Sequence, residues 1–457
     1  MDLDGVEQQK SKELELPLAA RGEALGAERS AQASTAVQGS ERPGTSDLME
    51  AVVERRNLQA ALKRVKQNKG SPGIDGMTVE ELPDHLRVHW PRLREQLLAG
   101  TYQPQPVRRR TIPKSGGGER ELGIPTVLDR FIQQAILQVL QPRFDPTFSQ
   151  HSHGFRPRRS AHDAVCEAQR YVQQGRVVVV DVDLEKFFDR VNHDMLMGRL
   201  AKRIEDRRLL GLIRRYLDAG VMANGVVMER HEGTPQGGPL SPLLANVLLD
   251  EVDKELEKRG HAFVRYADDC NVYVRSQRAG ERVMQTLRRL YARLHLRVNE
   301  SKSAVARVQD RKFLSYSFWL SPKGEVRRTI ASKALDAMKD RVRHMTSRVR
   351  GRSLAQVCGD LRKYLPGWKA YFRLVELPGI FRDLDGWIRH RLRSLQLKHW
   401  RRGPTIFREL RARGMSSRDA RRVAGNARSW WRNSKMLINV ALPNKLFDAL
   451  GLPRLAP

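Results

Sequence analysis

Residues 177 to 183 read Val-Val-Val-Val-Asp-Val-Asp. Four consecutive β-branched side chains favour an extended backbone, and a run this apolar reads as a buried strand. The strand ends in Asp181 and Asp183, two residues apart and therefore on one face. A carboxylate at the end of a buried strand is unfavourable unless a cation or a donor compensates it. Either acid could simply cap the helix suggested by "LEKFFDRV", residues 184 to 191. The other reading makes this strand end one part of a divalent-cation site, which needs further carboxylates from elsewhere in the chain.

Those carboxylates are available in "FVRYADDCNVYV", residues 263 to 274. Phe263 to Tyr266 and Asn271 to Val274 read as two strands joined by a tight turn, which sets Asp268 and Asp269 on a hairpin tip. Adjacent acids can be mere turn formers. Three convergent acids on rigid strands, however, make a cage for cations that prefer hard oxygen ligands.

The chain has 457 residues, enough for two or three domains, and a formal net charge of +31 with a pI near 10.7. That balance points to a polyanionic partner, above all nucleic acid. Residues 326 to 457 hold 31 Lys and Arg against nine Asp and Glu, an excess of 22, whereas residues 1 to 48 hold five against nine. A solvated helix face explains a few such charges, but an excess of that size repels itself unless a partner neutralises it. Cys166, Cys270 and Cys358 stand far apart with no C-x-x-C spacing, which favours neither a zinc ribbon nor a disulfide framework and fits a reducing cytosol. Neither a signal peptide nor a run of 18 apolar residues is present, so no membrane partner is expected.

Residues 1 to 48, rich in Ala, Glu, Gln, Ser and Gly, read as a disordered tail. From 49 to about 325 short β-rich runs alternate with helical stretches and Gly or Pro punctuation. After 330 the pattern turns helical: Leu335, Met338, Val342, Met345 and Val349 form one apolar stripe. Ile380, Leu384, Trp387, Ile388, Leu392 and Leu395 form another, flanked by Arg389, Arg391 and Arg393, which read as a basic face for RNA.

Taken in order, the acid-ended strand, "GTPQGGPLSPLLANVLLD" (233 to 250), "YADD", "LRVNESKS" (296 to 303) and "KFLSYSF" (312 to 318) resemble the motifs of a reverse transcriptase. "NKGSPGIDG" (68 to 76), "IPKSGGGERELGIPTVLDRFIQQAI" (112 to 136) and "GFRPRRSAHDAV" (154 to 165) narrow the resemblance to the group II intron-encoded reverse transcriptases, or maturases.

The resemblance implies a right-hand polymerase of mixed α and β structure with an antiparallel palm sheet. Fingers and palm would occupy 49 to 325, with an N-terminal extension at about 49 to 100. A helical thumb, the maturase X domain, would occupy 330 to 415, and a short basic DNA-binding-like region 416 to 457. Asp183, Asp268 and Asp269, with the Leu184 carbonyl, would hold two Mg²⁺ ions. Asp183 rather than Asp181 is chosen because Phe188 follows it by five, where the family places an aromatic under the incoming sugar. Lys114, Arg120, Gln236 and Lys302 would contact the incoming nucleotide, and Gly237 and Gly238 would admit its close approach. Arg156, Tyr266, Phe313 and Leu314 would contact template and primer. His153 stands where an aromatic is more usual, and Ser315 with Tyr316 replace the commoner Gly-Phe of the primer-grip turn.

No Cys or His pairs suited to an HNH endonuclease are visible, as in the compact bacterial IIC-like class. The expected partners are group II intron RNA, an RNA template with a DNA primer, dNTPs, target DNA and a second copy in a homodimer, in bacterial cytoplasm. Two alternatives stay open: an RNA-binding splicing cofactor with a vestigial polymerase, and a domesticated reverse transcriptase serving repair or defence.

Overall fold

A computed structural model of the protein describes residues 46–113, 119–223, 226–228, 232–234, 237–348 and 351–456. The tail expected up to 48 lies, as far as residue 45, outside them. The chain divides into two compact units between Arg311 and Lys312. Ten strands occur among the described residues: β1 (Val107–Pro113), β2 (Glu119–Ile124), β3 (Val178–Val182), β4 (Val221–Ala223), β5 (Val226–Met228), β6 (Ala262–Tyr266), β7 (Asp269–Val274), β8 (Ala304–Arg307), β9 (Tyr316–Leu320) and β10 (Val326–Ile330).

The valine run becomes β3, and it is buried because it is paired on both edges. The order of its sheet is β6-β7-β3-β8 and every pairing is antiparallel. The register runs from Val178↔Val274 to Val182↔Cys270 on one side and from Val178↔Arg307 to Asp181↔Ala304 on the other. The helix Gln277–Arg293, started by the Ser276 hydroxyl accepting from Ala279 N–H, packs on this sheet. Its buried residues Gly280, Val283, Met284, Leu287, Leu290 and Tyr291 follow the spacing of an amphipathic helix. Gly280 sets the approach: a Cβ there would stand 2.3 Å from a Val305 methyl. A second sheet, β2-β1-β4-β5, pairs β1 antiparallel with β2 and parallel with β4.

The second unit begins with the β9–β10 hairpin and continues as helices, among them Ser332–Met345, Leu354–Tyr371 and Gly379–Trp400. Met338, Val342 and Met345 are buried as the stripe requires, Leu335 is half-buried, and Val349 lies outside the described residues. Leu384, Ile388, Leu392 and Leu395 are buried likewise.

The flanking arginines need a correction: Arg389 and Arg393 are buried, not exposed to a partner. Residues beyond 440 fold back over the helix. Arg393 donates to the Leu442 carbonyl at 2.9 Å and to Asn444 at 2.8 Å, with its guanidinium over the Phe447 ring. Burial, with Arg389 beside it, pulls its pKa down to about 10. Arg389 pairs with Asp385 at 3.1 Å and Asp448 at 3.4 Å. Asp385 in turn accepts from the Leu455 and Ala456 N–H groups. Half-buried Arg391 donates to the Thr346 hydroxyl at 2.6 Å. Arg389 and Arg393 are internal struts that tie the last residues to the helical module, whereas Arg391 ties this helix to the end of the helix Ser332–Met345.

The turn entering β9 carries strain. Phe313 and Tyr316 exchange N–H···O bonds at 2.9 Å across Leu314 (φ 49°) and Ser315 (φ 67°), both left-handed. Primed hairpin turns need this geometry, and side chains larger than glycine disfavour it. Ser315→Gly is therefore expected to stabilise the second unit by about 1 kcal/mol, read as a higher Tm, and Ser315→Val to lower it. A lower Tm for the glycine variant contradicts the assignment of strain.

Candidate active site

The end of β3 is held from one side by the segment 297–303. Asp183 N–H donates to the Ser303 hydroxyl at 3.0 Å, and the Asp183 carbonyl accepts from Asn299 N–H at 2.8 Å. Leu184 faces Val298 across an isolated bridge, and Glu185 N–H donates to the Arg297 carbonyl. Alternation along the strand turns the Leu184 carbonyl away from that ladder. Lys302 sits in the turn that Asn299 closes, its Nζ 3.5 Å from Asp183 Oδ1. Asp181 has a different partner: the Arg311 guanidinium grips its carboxylate at 2.6 and 2.9 Å.

Beside β3, Tyr266 pairs with Asp269 across a two-residue loop formed by Ala267 and Asp268. The loop is a primed turn, with Ala267 at φ 56°. Asp183 follows Val182, whose cross-strand partner Cys270 follows Asp269. Two adjoining strand ends thus carry Asp183, Asp268 and Asp269.

A buried polar lattice supports the turn from beneath, and sequence reasoning missed it. Arg265 is fully buried. Its guanidinium donates to Asp253 at 2.6 to 3.0 Å, to Asn246 at 2.9 Å, and to the Ala267 carbonyl inside the turn at 2.8 Å. Burial pulls its basicity down, but the Asp253 carboxylate more than restores it. Asn246 also donates to the Gly154 carbonyl at 2.9 Å. Gly154 lies flush on the turn: a Cβ there would stand 2.2 Å from the Ala267 nitrogen. His151 and His153 exchange backbone bonds with Arg265, and their rings both meet Glu167. Burial raises the Glu167 pKa, but hydrogen bonds from His151, His153 and Tyr171 outweigh it and hold the carboxyl well below the usual range. The one sequence signal was an arginine inside an otherwise apolar strand, "AFVRY".

Of the expected nucleotide contacts, Lys114 and Gln236 lie outside the described residues, as does the Arg120 side chain. Arg120 occupies β2 opposite Ile112. Phe188 is half-buried, its ring 5.1 Å from Phe187, which is core. Gly233 closes onto the same segment, donating to the Val191 carbonyl at 2.8 Å. The close approaches seen at Gly237 and Gly238 are to the chain itself: added Cβ atoms would meet the Gly123 carbonyl at 2.7 Å and Gln133 at 2.4 Å. Arg156 is buried, donating to the Asp145 carboxylate and to the Ser149, Ser152 and Asp145 carbonyls. Tyr266 is half-exposed at the turn. Phe313 is buried and Leu314 is left-handed, both in the second unit.

Among the described residues, no three acidic, His or Cys side chains are drawn together into a ready cation site. The donor set still suits one, since hard divalent ions take carboxylate and carbonyl oxygen. Without a cation the like charges of the acids oppose one another, and among the described residues the Asp183 carboxylate has a long contact to Lys302, at 3.5 Å.

Residues 112–318 match the family described as reverse transcriptase (RNA-dependent DNA polymerase), and residues 335–414 the group II intron, maturase-specific domain. Over 305 residues the chain is 33% identical to protein YkfC of Escherichia coli (strain K12), covering 58% of this chain and 80% of YkfC. It is 42% identical over 202 residues to the group II intron-encoded protein LtrA of Lactococcus lactis subsp. cremoris, covering 42% of this chain and 32% of LtrA. With the putative COX1/OXI3 intron 2 protein of Saccharomyces cerevisiae it shares 32% identity over 216 residues, 46% of this chain and 25% of that protein. An acid-tipped antiparallel sheet with this family match defines a right-hand polymerase. The chain belongs to the reverse transcriptases, among those that carry a group II intron maturase-specific domain. Polymerases of this family work with divalent cations.

Gly154→Ala forces a methyl into the backbone of the acidic turn, so it is expected to slow primer extension at least tenfold with little change in far-UV circular dichroism. Arg265→Leu leaves Asp253 buried without its partner and should destabilise the first unit by about 3–5 kcal/mol. Parent-like extension by Gly154→Ala contradicts the turn's dependence on this contact.

Proposed function

We propose that the protein copies RNA into DNA at Asp183, Asp268 and Asp269, and that it binds the RNA of a group II intron to assist splicing and mobility. The observation that carries the catalytic half is the register: Asp183 leaves β3 where Asp269 enters β7. Fingers and palm are assigned to 49–325, with the extension at 49–100, a thumb to 330–415, and a DNA-binding-like segment to 416–457.

In this reading Asp183, Asp268, Asp269 and the Leu184 carbonyl hold two Mg²⁺ ions. When bound, the ions supply activation of the primer 3′ hydroxyl and charge neutralisation at the pyrophosphate leaving group. The chain's own residues do the rest. Lys302, already beside Asp183, offers its ammonium to phosphate once cations satisfy the carboxylate. Lys114, Arg120 and Gln236 position the dNTP, and the Phe188 ring leaves no room for a 2′ hydroxyl. The substrates are an RNA template, a DNA primer and dNTPs, with target DNA and a second copy of the chain as further partners. No helix among the described residues is long and apolar enough to cross a membrane, and the place of action proposed is bacterial cytoplasm.

RNA contact is reassigned from the buried arginines to exposed ones. Arg418, Arg421 and Arg422 on the helix Ser417–Gly425 are exposed and suited to phosphate.

Asp183→Asn should lower extension of a DNA primer on RNA by orders of magnitude while template affinity stays near the parent's. An active variant would mean that Asp183 holds no cation. Changing Arg418, Arg421 and Arg422 together to Gln should weaken intron RNA binding. It should also flatten the log-log salt dependence by about 0.7 for each phosphate no longer neutralised, with Tm unchanged. An unaltered salt slope places the RNA elsewhere.

A further inference from the structure

Two left-handed turns lie against each other at the acidic hairpin. One holds Ala267 at φ 56°; the other is the loop after His153, where Gly154 touches the Ala267 backbone and the next residue, Phe155, has φ 61°. A bulky side chain in that region is disfavoured. A buried ring could offset the strain by packing, yet Phe155 is 43% exposed. The surrounding structure enforces the conformation from both sides. Before it, His153 N–H donates to the Arg265 carbonyl at 2.8 Å and the His153 ring meets Glu167 at 2.6 Å. After it, buried Arg156 is fastened to Asp145 at 2.7 Å and to the Ser152 carbonyl at 2.9 Å. A strained residue over-determined by its neighbours and lying beside catalytic groups is the pattern expected when function, not stability, retains it.

We propose that Phe155 is a nucleic-acid contact of the polymerase site, its ring packing on the 3′-terminal nucleotides of the primer strand. The primer is favoured because its 3′ hydroxyl must lie at Asp183 and Asp268, on the turn that Gly154 touches. An aromatic face suits this task, since it stacks on any base and imposes no sequence preference. The proposal rests on the reading of those acids as the polymerase site.

Phe155→Gly separates function from packing, because glycine removes the ring and also relieves the left-handed strain. Expected for this variant are a Tm equal to or above the parent's and a Kd for a DNA-primed RNA template raised roughly 5- to 100-fold. Extension products should be shorter, and KM for dNTP at saturating primer–template unchanged. Phe155→Tyr should bind as the parent does. A parent-like Kd for the glycine variant overturns the proposal, and so does a rise confined to the dNTP KM, which would place the ring on the nucleotide. If Tm and affinity fall together, Phe155→Leu decides: parent-like binding with an aliphatic side chain also overturns it. Asp183→Asn assayed in parallel keeps the two failures apart. An active Asp183→Asn defeats the reading of the site, whereas an inert Asp183→Asn beside a parent-like Phe155→Gly defeats only the role of the ring.

Discussion

The ion pair between Arg265 and Asp253 has side-chain exposures of 1% and 0%, and the geometry of the acidic turn depends on it. A buried pair adds little over a well-packed apolar one, but losing one partner is severe because the other charge is stranded. This pair is retained where its remaining donors are needed. The same guanidinium reaches Asn246 and the Ala267 carbonyl, so one charged group links the helix Ser241–Lys258, strand β6 and the turn. Asn246 passes the link on to Gly154. The acids are thus carried on a rigid, internally hydrogen-bonded base, which holds side chains in place better than a mobile loop does.

Much of the candidate site's local structure was legible in the sequence because it follows from local pattern. Four valines can hardly be anything but an interior strand, and "YADD" between two β-rich runs can hardly avoid a hairpin. Strand adjacency came from the resemblance and then from the register. The lattice was not legible. Period-2 alternation says which face Arg265 occupies, but its partner lies on a helix that also bears Asp250, Glu251 and Glu255, and nothing local selects Asp253 among them. Gly154 is similar: its need for a missing Cβ arises from a segment more than a hundred residues away.

The arginines of the helix Gly379–Trp400 teach the complementary lesson. Arg389 and Arg393, four apart, share a face beside the apolar stripe, and in a chain of this charge they read as a basic surface. They are internal because the segment around Phe447 covers that face and supplies carbonyls and Asp448 as acceptors. Net charge points to a polyanionic partner in kind but could not say which cations are free to meet one. That distinction is made by tertiary structure, which leaves the arginines around residues 418 to 422 exposed.

In the proposed mechanism the three acids, apart as they stand, become a two-cation site when substrate is bound. Mn²⁺ electron paramagnetic resonance with an RNA template, a DNA primer and a non-hydrolysable dNTP analogue tests it directly. Two bound Mn²⁺ ions close enough for their spins to couple are expected, with the coupling abolished in Asp268→Asn. Undiminished coupling in that variant, or bound Mn²⁺ that shows no coupling in the parent, would contradict it.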